Sequence, residues 1–248
     1  MLLRVLPFTL LFLATLTAFL AKGLSVSVRA GLVLGAAAVA FVLIIIRSRG
    51  ANADALEGIA QLNQGRFSDA LAAFERGLAR FPQSNALVFN TGIALLSLWR
   101  VAEADAAFSK AAGMKLARLT FDVTQMLEPQ RALVAALLGR ADEAQRHLAS
   151  CEQLGLGRSA HVLLARAVLS VRAGDFAEGR RQLGVYEVRL LGGPGRGLAD
   201  ALSAWCLEQT TGERRHVDRL GLFGEAGPDA IRRFWPELAE FLERAPAA

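Results

Sequence analysis

The sequence predicts an all-α chain: an α-solenoid of stacked helix pairs preceded by two transmembrane helices. Three observations carry that reading. Two uncharged apolar runs, at residues 5–21 and 30–46, open the chain. From residue 51 onward apolar residues recur at helical spacing, and residue types recur every 34 positions. The charge changes character at the same place. Residues 1–50 carry Arg4, Lys22, Arg29, Arg47 and Arg49 and no Asp or Glu, so the whole net charge of +5 lies there and the rest is neutral. The organisation read from this is a membrane anchor over 1–50, helical repeats over 51–227, and a capping helix with a tail over 228–248.

Each apolar run has 17 residues. A helix of that length spans roughly 25 Å at about 1.5 Å per residue, near the lower limit for crossing a bilayer. Basic residues flank the runs and can reach the interface, which extends them. The connection "KGLSVSVR" is short, so the two helices form a hairpin. A cleaved signal peptide is the alternative for the first run, but "TAFLA" at its end lacks the small-x-small cleavage pattern. Gly31 and Gly35 stand four apart, a spacing that serves close helix packing and is also common in membrane helices generally. The ends of the hairpin carry more positive charge than its loop, which places the ends and the repeats on the cytoplasmic side. The periplasmic side is the alternative. A pI near 10.0 would ordinarily point to nucleic acid. Here the excess charge flanks apolar runs, and the only tyrosine, Tyr186, offers little stacking surface. Nucleic-acid binding is not expected.

The repeats begin with "GRFSDALAAFERGLARFP" at residues 65–82. Gly58 and Gly92 are 34 residues apart, as are Ala70 and Ala104, Phe74 and Phe108, and Gly77 and Ala111. Gly58 and Gly92 let a second helix approach closely, and the phenylalanines fill the space between units. Gly65 suits the turn within a pair, and Pro82 ends the second helix. On Gly58, Gly65, Phe67, Ala70, Phe74, Gly77 and Pro82 the chain resembles the tetratricopeptide repeat family. A lone helix pair cannot bury its apolar face, so several units stack.

Later units are more degenerate. Gly139, Ala144, Leu148 and Cys151 repeat the internal spacing of the first unit, after six extra residues around "KLARLTFD" where the stack can bend. Gly174, Gly179 and Leu183 repeat it again, but Tyr186 stands where a small residue is expected. A fifth unit keeps only Gly212, and "LGGPGRG" at 191–197 reads as a loop. The last helix starts at Pro228 and presents Ile231, Phe234, Trp235, Leu238, Phe241 and Leu242 on one face, with Pro236 displacing its start. Its outer face, with Glu237, Glu240 and Glu243, suits a cap.

Catalytic chemistry is sparse. His147 and Cys151 are one helical turn apart, but no second pair completes a metal site, and no third group orients them as a nucleophile pair. "GGPGRG" lacks the Lys-Ser/Thr of a phosphate loop. Acidic pairs such as Glu103–Asp105 and Asp142–Glu143 lie where second helices start and complement the helix dipole. Cys151 and Cys206 fall in different units and are not expected to pair. The chain reads as no enzyme, with no cofactor, no metal and no small-molecule substrate.

The resemblance implies a membrane-anchored scaffold that binds another protein or a peptide segment, in the assembly or organisation of a bacterial inner-membrane or envelope complex. The alternatives are a periplasm-facing assembly factor and a membrane enzyme with an unrecognised site. By position within the family's pattern, the groove lies on the first helices. Its residues there are Asn52, Ala55, Ile59, Leu62 and Asn63, then Ala86, Phe89, Ile93, Leu96 and Ser97, then His161, Leu164, Val168, Val171 and Arg172. Lys, Arg and Asn are not gathered on this face, which disfavours a carboxylate clamp and leaves an apolar groove for an amphipathic helix. Phe89 and Ile93 are its expected anchors.

Overall fold

The computed structural model of the chain describes residues 53–114, 124–219, 222 and 229–245. The two apolar runs, Asn52 and the segment "KLARLTFD" lie outside them. Among the described residues no helix is long and apolar enough to cross a membrane, and none forms a β-strand. The chain divides into two compact units, Met1–Leu56 and Glu57–Ala248. Of the first, the described part is a helical stretch of residues 53–56.

The second unit is built of helix pairs. Helix α1 covers residues 53–63, entering from the first unit, and pairs with α2 (Phe67–Arg80). Then come α3 (Asn85–Ser97) with α4 (Val101–Gly113), and α5 (Thr124–Leu137) with α6 (Ala141–Gln153). The fourth pair is α7 (Ala160–Arg172) with the short α8 (Phe176–Leu183). From α2 to α6 each helix packs on the next, as do α7 and α8, and the first helices α5 and α7 also pack on each other. This is solenoid packing.

The repeat has a steric origin that the structure makes explicit. A Cβ placed on Gly58 would stand 2.3 Å from the Phe74 ring, and one on Gly92 would stand 2.5 Å from the Phe108 ring. Both rings are fully buried. Each phenylalanine therefore packs directly on the glycine of its own pair. Counting back from Gly139 and Gly174, the glycine position holds Ala132 and Ala167, and the ring position holds Leu148 and Leu183. A smaller partner accompanies the added methyl in both later pairs.

The turns inside pairs need a left-handed residue, because that conformation lets the chain reverse after the last helical turn. Gly65, Gly139 and Gly174 supply it at φ 75°, 73° and 79°. In the second pair the equivalent position is Trp99, at φ 58°. For a bulky side chain this conformation costs roughly 1–2 kcal/mol.

What holds Trp99 is the C-terminal segment. Its indole Nε1–H donates to the Leu222 carbonyl at 2.8 Å, and its ring stacks on Phe234 with centroids 6.1 Å apart. Helices α10 (Asp229–Arg232) and α11 (Pro236–Arg244) follow, separated at Trp235. The single terminal helix expected from residue 228 is thus broken, because Pro236 has no N–H to give to a preceding turn and instead occupies the first turn of α11. The expected apolar face survives the break: Ile231, Trp235, Leu238, Phe241 and Leu242 are all buried.

One loop expectation is overturned. Helix α9 runs over Gly193–Thr211, so it begins inside "LGGPGRG". Pro194 sits in the first turn, where a missing N–H costs nothing, and burial of Pro194, Leu198, Ala199, Ala201 and Leu202 offsets the glycines. Gly212 closes α9 at φ 76°. Tyr186 is large where a small residue was expected because α8 stops at Leu183; Tyr186 opens a 3₁₀ turn, Tyr186–Leu190, and is 68% exposed.

Candidate functional site

Four first helices in succession face one concavity. Their inner residues and the start of α9 enclose a groove of about 550 Å³. From α1 come Ile59, Leu62 and Asn63; from α3 come Phe89, Asn90, Ile93, Leu96 and Ser97. Helix α5 adds Met126, Gln130, Leu133 and Leu137, and α7 adds Ala160, His161 and Leu164. The remaining wall is Trp99 together with Leu190, Leu191, Gly192, Pro194, Gly195 and Leu198, from the 3₁₀ turn into α9. That wall reaches across to the first units: a methyl group on Gly193 would stand 3.6 Å from the Phe67 ring.

The groove carries no Asp, Glu, Lys or Arg among its lining residues. Its polar groups are neutral amides, a hydroxyl and an imidazole. Burial lowers the pKa of His161 and so favours its neutral form. Gln130 is 7% exposed, and its Oε1 has no hydrogen-bond partner among the described residues.

The residues expected from the repeat pattern sort into groups. Ile59, Asn63, Ile93, Ser97 and His161 line the groove and retain accessible surface. Phe89 and Leu164 line it but belong to the core, at 4% and 0% exposure. The Phe89 ring packs on Phe108 at 5.7 Å between centroids, so it anchors the helix pair more than it presents to a ligand. Val168 is fully buried and outside the lining, and Ala55 lies in the first compact unit.

Arg172 requires a correction. Its Nη2 donates to the Leu137 carbonyl at 2.5 Å and to the Phe234 carbonyl at 2.8 Å, and its guanidinium lies 4.3 Å over the Trp235 ring. It ties α5 and α7 to the C-terminal segment and does not line the groove. Burial lowers its pKa. The reason is position in the turn: it is the last residue of α7, where two carbonyls lacking helical partners are within reach.

Sequence reasoning missed the third pair. The offset of 40 that equates Leu148 with Phe108 also equates Leu133 with Ile93 and Gln130 with Asn90, so the signal was there. The α9 wall had no such signal, since glycine and proline dominate its first residues.

The other candidate pair, His147 and Cys151, is arranged structurally. His147 Nδ1 is 2.9 Å from Glu128 Oε2, joining α6 to α5. Cys151 and Cys206 are both free and buried. Among the described residues no group of three or more His, Cys, Asp and Glu is placed to hold a metal ion. No family model, no curated protein and no solved structure matches the chain.

Proposed function

We propose that the chain is a membrane-anchored scaffold similar to tetratricopeptide-repeat proteins, whose groove receives an apolar segment of another protein. In this reading residues 5–21 and 30–46 hold it in a bacterial inner membrane, with the helix pairs on the cytoplasmic side. The observation that carries the binding part is the uncharged lining of the groove. An occupant bringing a charge there would lose its hydration without gaining a partner, so uncharged apolar segments are selected. The anchor rests on the two uncharged runs and their basic flanks.

The test uses exposed groove residues, since Phe89 is too buried to change cleanly. Ile59 is 39% exposed and Met126 46%. Full-length protein carrying Ile59→Asp and Met126→Asp should keep its cooperative melt and lose the proteins that co-purify with the parent chain from membranes. Unchanged co-purification would place the binding surface elsewhere. Alkaline washing, sequencing of the mature N-terminus and a reporter fused after Ala248 test the anchor and its orientation separately.

The groove volume favours a second reading, because about 550 Å³ falls in the range of small-molecule sites. Native mass spectrometry distinguishes the two. An apolar compound of a few hundred daltons retained by the parent chain and absent from the Ile59/Met126 variant would establish a small ligand.

A further inference from the structure

A second cavity, of about 490 Å³, lies between α8, the 3₁₀ turn and α9. Four guanidinium groups line it, from Arg180, Arg189, Arg196 and Arg215, against one carboxylate, Asp200, with the Ser203 hydroxyl beside them. Arg196 Nε is 2.7 Å from Asp200 Oδ2, and its Nη1 also donates to the Arg189 carbonyl. Arg215 Nε is 3.1 Å from Glu213 Oε1. Both pairs are well exposed, the less exposed side chain being Arg196 at 43%. Water competes for such pairs, so they exchange readily for another anion. The ion pairs formed among the described residues include neither Arg180 nor Arg189. The lining thus holds an excess of positive charge with donors to spare.

We propose that this cavity binds a phosphate group. Planar guanidinium forks match phosphate oxygens two at a time, and several forks with a hydroxyl around one space suit a tetrahedral anion better than a planar carboxylate. The phosphate can belong to a lipid headgroup or to a soluble molecule. Tyr186 and Leu190, 68% and 65% exposed on the 3₁₀ turn that carries Arg189, favour the lipid source. An exposed tyrosine and leucine beside arginines is the composition that seats at a bilayer interface.

The experiment measures the unfolding midpoint of the full-length protein in neutral detergent at constant ionic strength. Inorganic phosphate, dihexanoyl phosphatidylglycerol, dihexanoyl phosphatidylcholine, glutamate and chloride are compared. Near saturation the bound anion should raise the midpoint by about 4 °C. Arg180→Ala with Arg189→Ala should abolish that rise and leave the ligand-free midpoint unchanged, because both side chains are exposed. A rise with phosphatidylglycerol alone assigns the lipid source, and a rise with inorganic phosphate as well assigns the phosphate group whatever carries it. No rise with either, an equal rise with glutamate or chloride, or a rise undiminished in the variant overturns the proposal.

Discussion

Gly92 and Phe108 form one steric unit, and the rest of the chain indicates how that unit can be rewritten. A Cβ at Gly92 would fall 2.5 Å from a ring with no exposed surface to move into. Gly92→Ala should destabilise the protein by about 2 kcal/mol, a typical cost of overpacking. The later pairs hold alanine with leucine at the equivalent positions. Adding Phe108→Leu should therefore recover stability, with a coupling of at least about 1 kcal/mol in a double-mutant cycle. Simple additivity in denaturant titrations would contradict the assignment. The buried thiols give a second expectation at this scale. Burial pushes Cys151 and Cys206 up to about 11, so neither forms much thiolate near pH 8. A thiol reagent should label both only in denaturant, and labelling of folded protein would show that these helices open. His161 sets a pH dependence. Its pKa is lowered by burial, so around the ordinary histidine value of about 6.5 the unfolded chain binds more protons than the folded one. Its contribution is complete above that range and declines as pH falls through it. His161→Gln should flatten the melting midpoint between pH 7 and pH 5 relative to the parent.

Among the turns within pairs, the second stands apart because its left-handed residue is Trp99. Truncation to alanine deletes the indole bond to Leu222 and the stack on Phe234 while leaving a Cβ in a conformation that disfavours one. Truncation to glycine deletes the same contacts and removes the strain. Cavity size alone would make glycine the worse replacement. The positive φ predicts the reverse: both variants lose stability, on the order of 3–5 kcal/mol for a large aromatic, and Trp99→Gly stays about 1 kcal/mol above Trp99→Ala. Denaturant midpoints decide the order. Alanine at or above glycine would mean the turn relaxes out of the left-handed region once the ring is gone. The same logic explains why Gly65, Gly139 and Gly174 carry no such strain: glycine adopts the left-handed conformation without a side chain to hold in place.

Within the second compact unit the C-terminal segment acts across several pairs rather than capping one. Phe234 meets Trp99, its carbonyl takes a bond from Arg172, and Trp235 and Phe241 pack on Trp205 with centroids 5.9 and 5.6 Å away. An end cap that only covers the last unit could be removed with local loss. Ending the chain before Asp229 should instead lower the stability of the whole unit by several kcal/mol, since it uncovers two tryptophans and leaves the Arg172 guanidinium short of a partner. Hydrogen exchange checks this. The α3–α4 turn around Trp99 should lose protection together with α9, and protection confined to a loss in α9 would restore the simple cap.

Local rules made much of this chain legible. The all-helical class, the pairing of helices, the 34-residue period and the buried face of the last segment follow from spacing within a few turns. Gly58 and Phe74, or Gly92 and Phe108, lie close enough in sequence that small and large residues report directly on how two neighbouring helices approach. Most of the expected groove residues were found the same way, by carrying one helix face along the period. The sequence by itself also determined the largely apolar character of that face, although it left Arg172 on it. Tertiary structure alone decided which of those residues remain available: Phe89 was drawn into the core by Phe108, and Arg172 was taken by carbonyls of Leu137 and Phe234. It also decided that α9 closes the groove and that Trp99 holds the C-terminal segment through a bond spanning 123 residues. The physical reason is range. Helical periodicity and glycine sterics act between residues a few turns apart, whereas the partner of a turn tryptophan or a helix-end arginine is set by how the whole array curves.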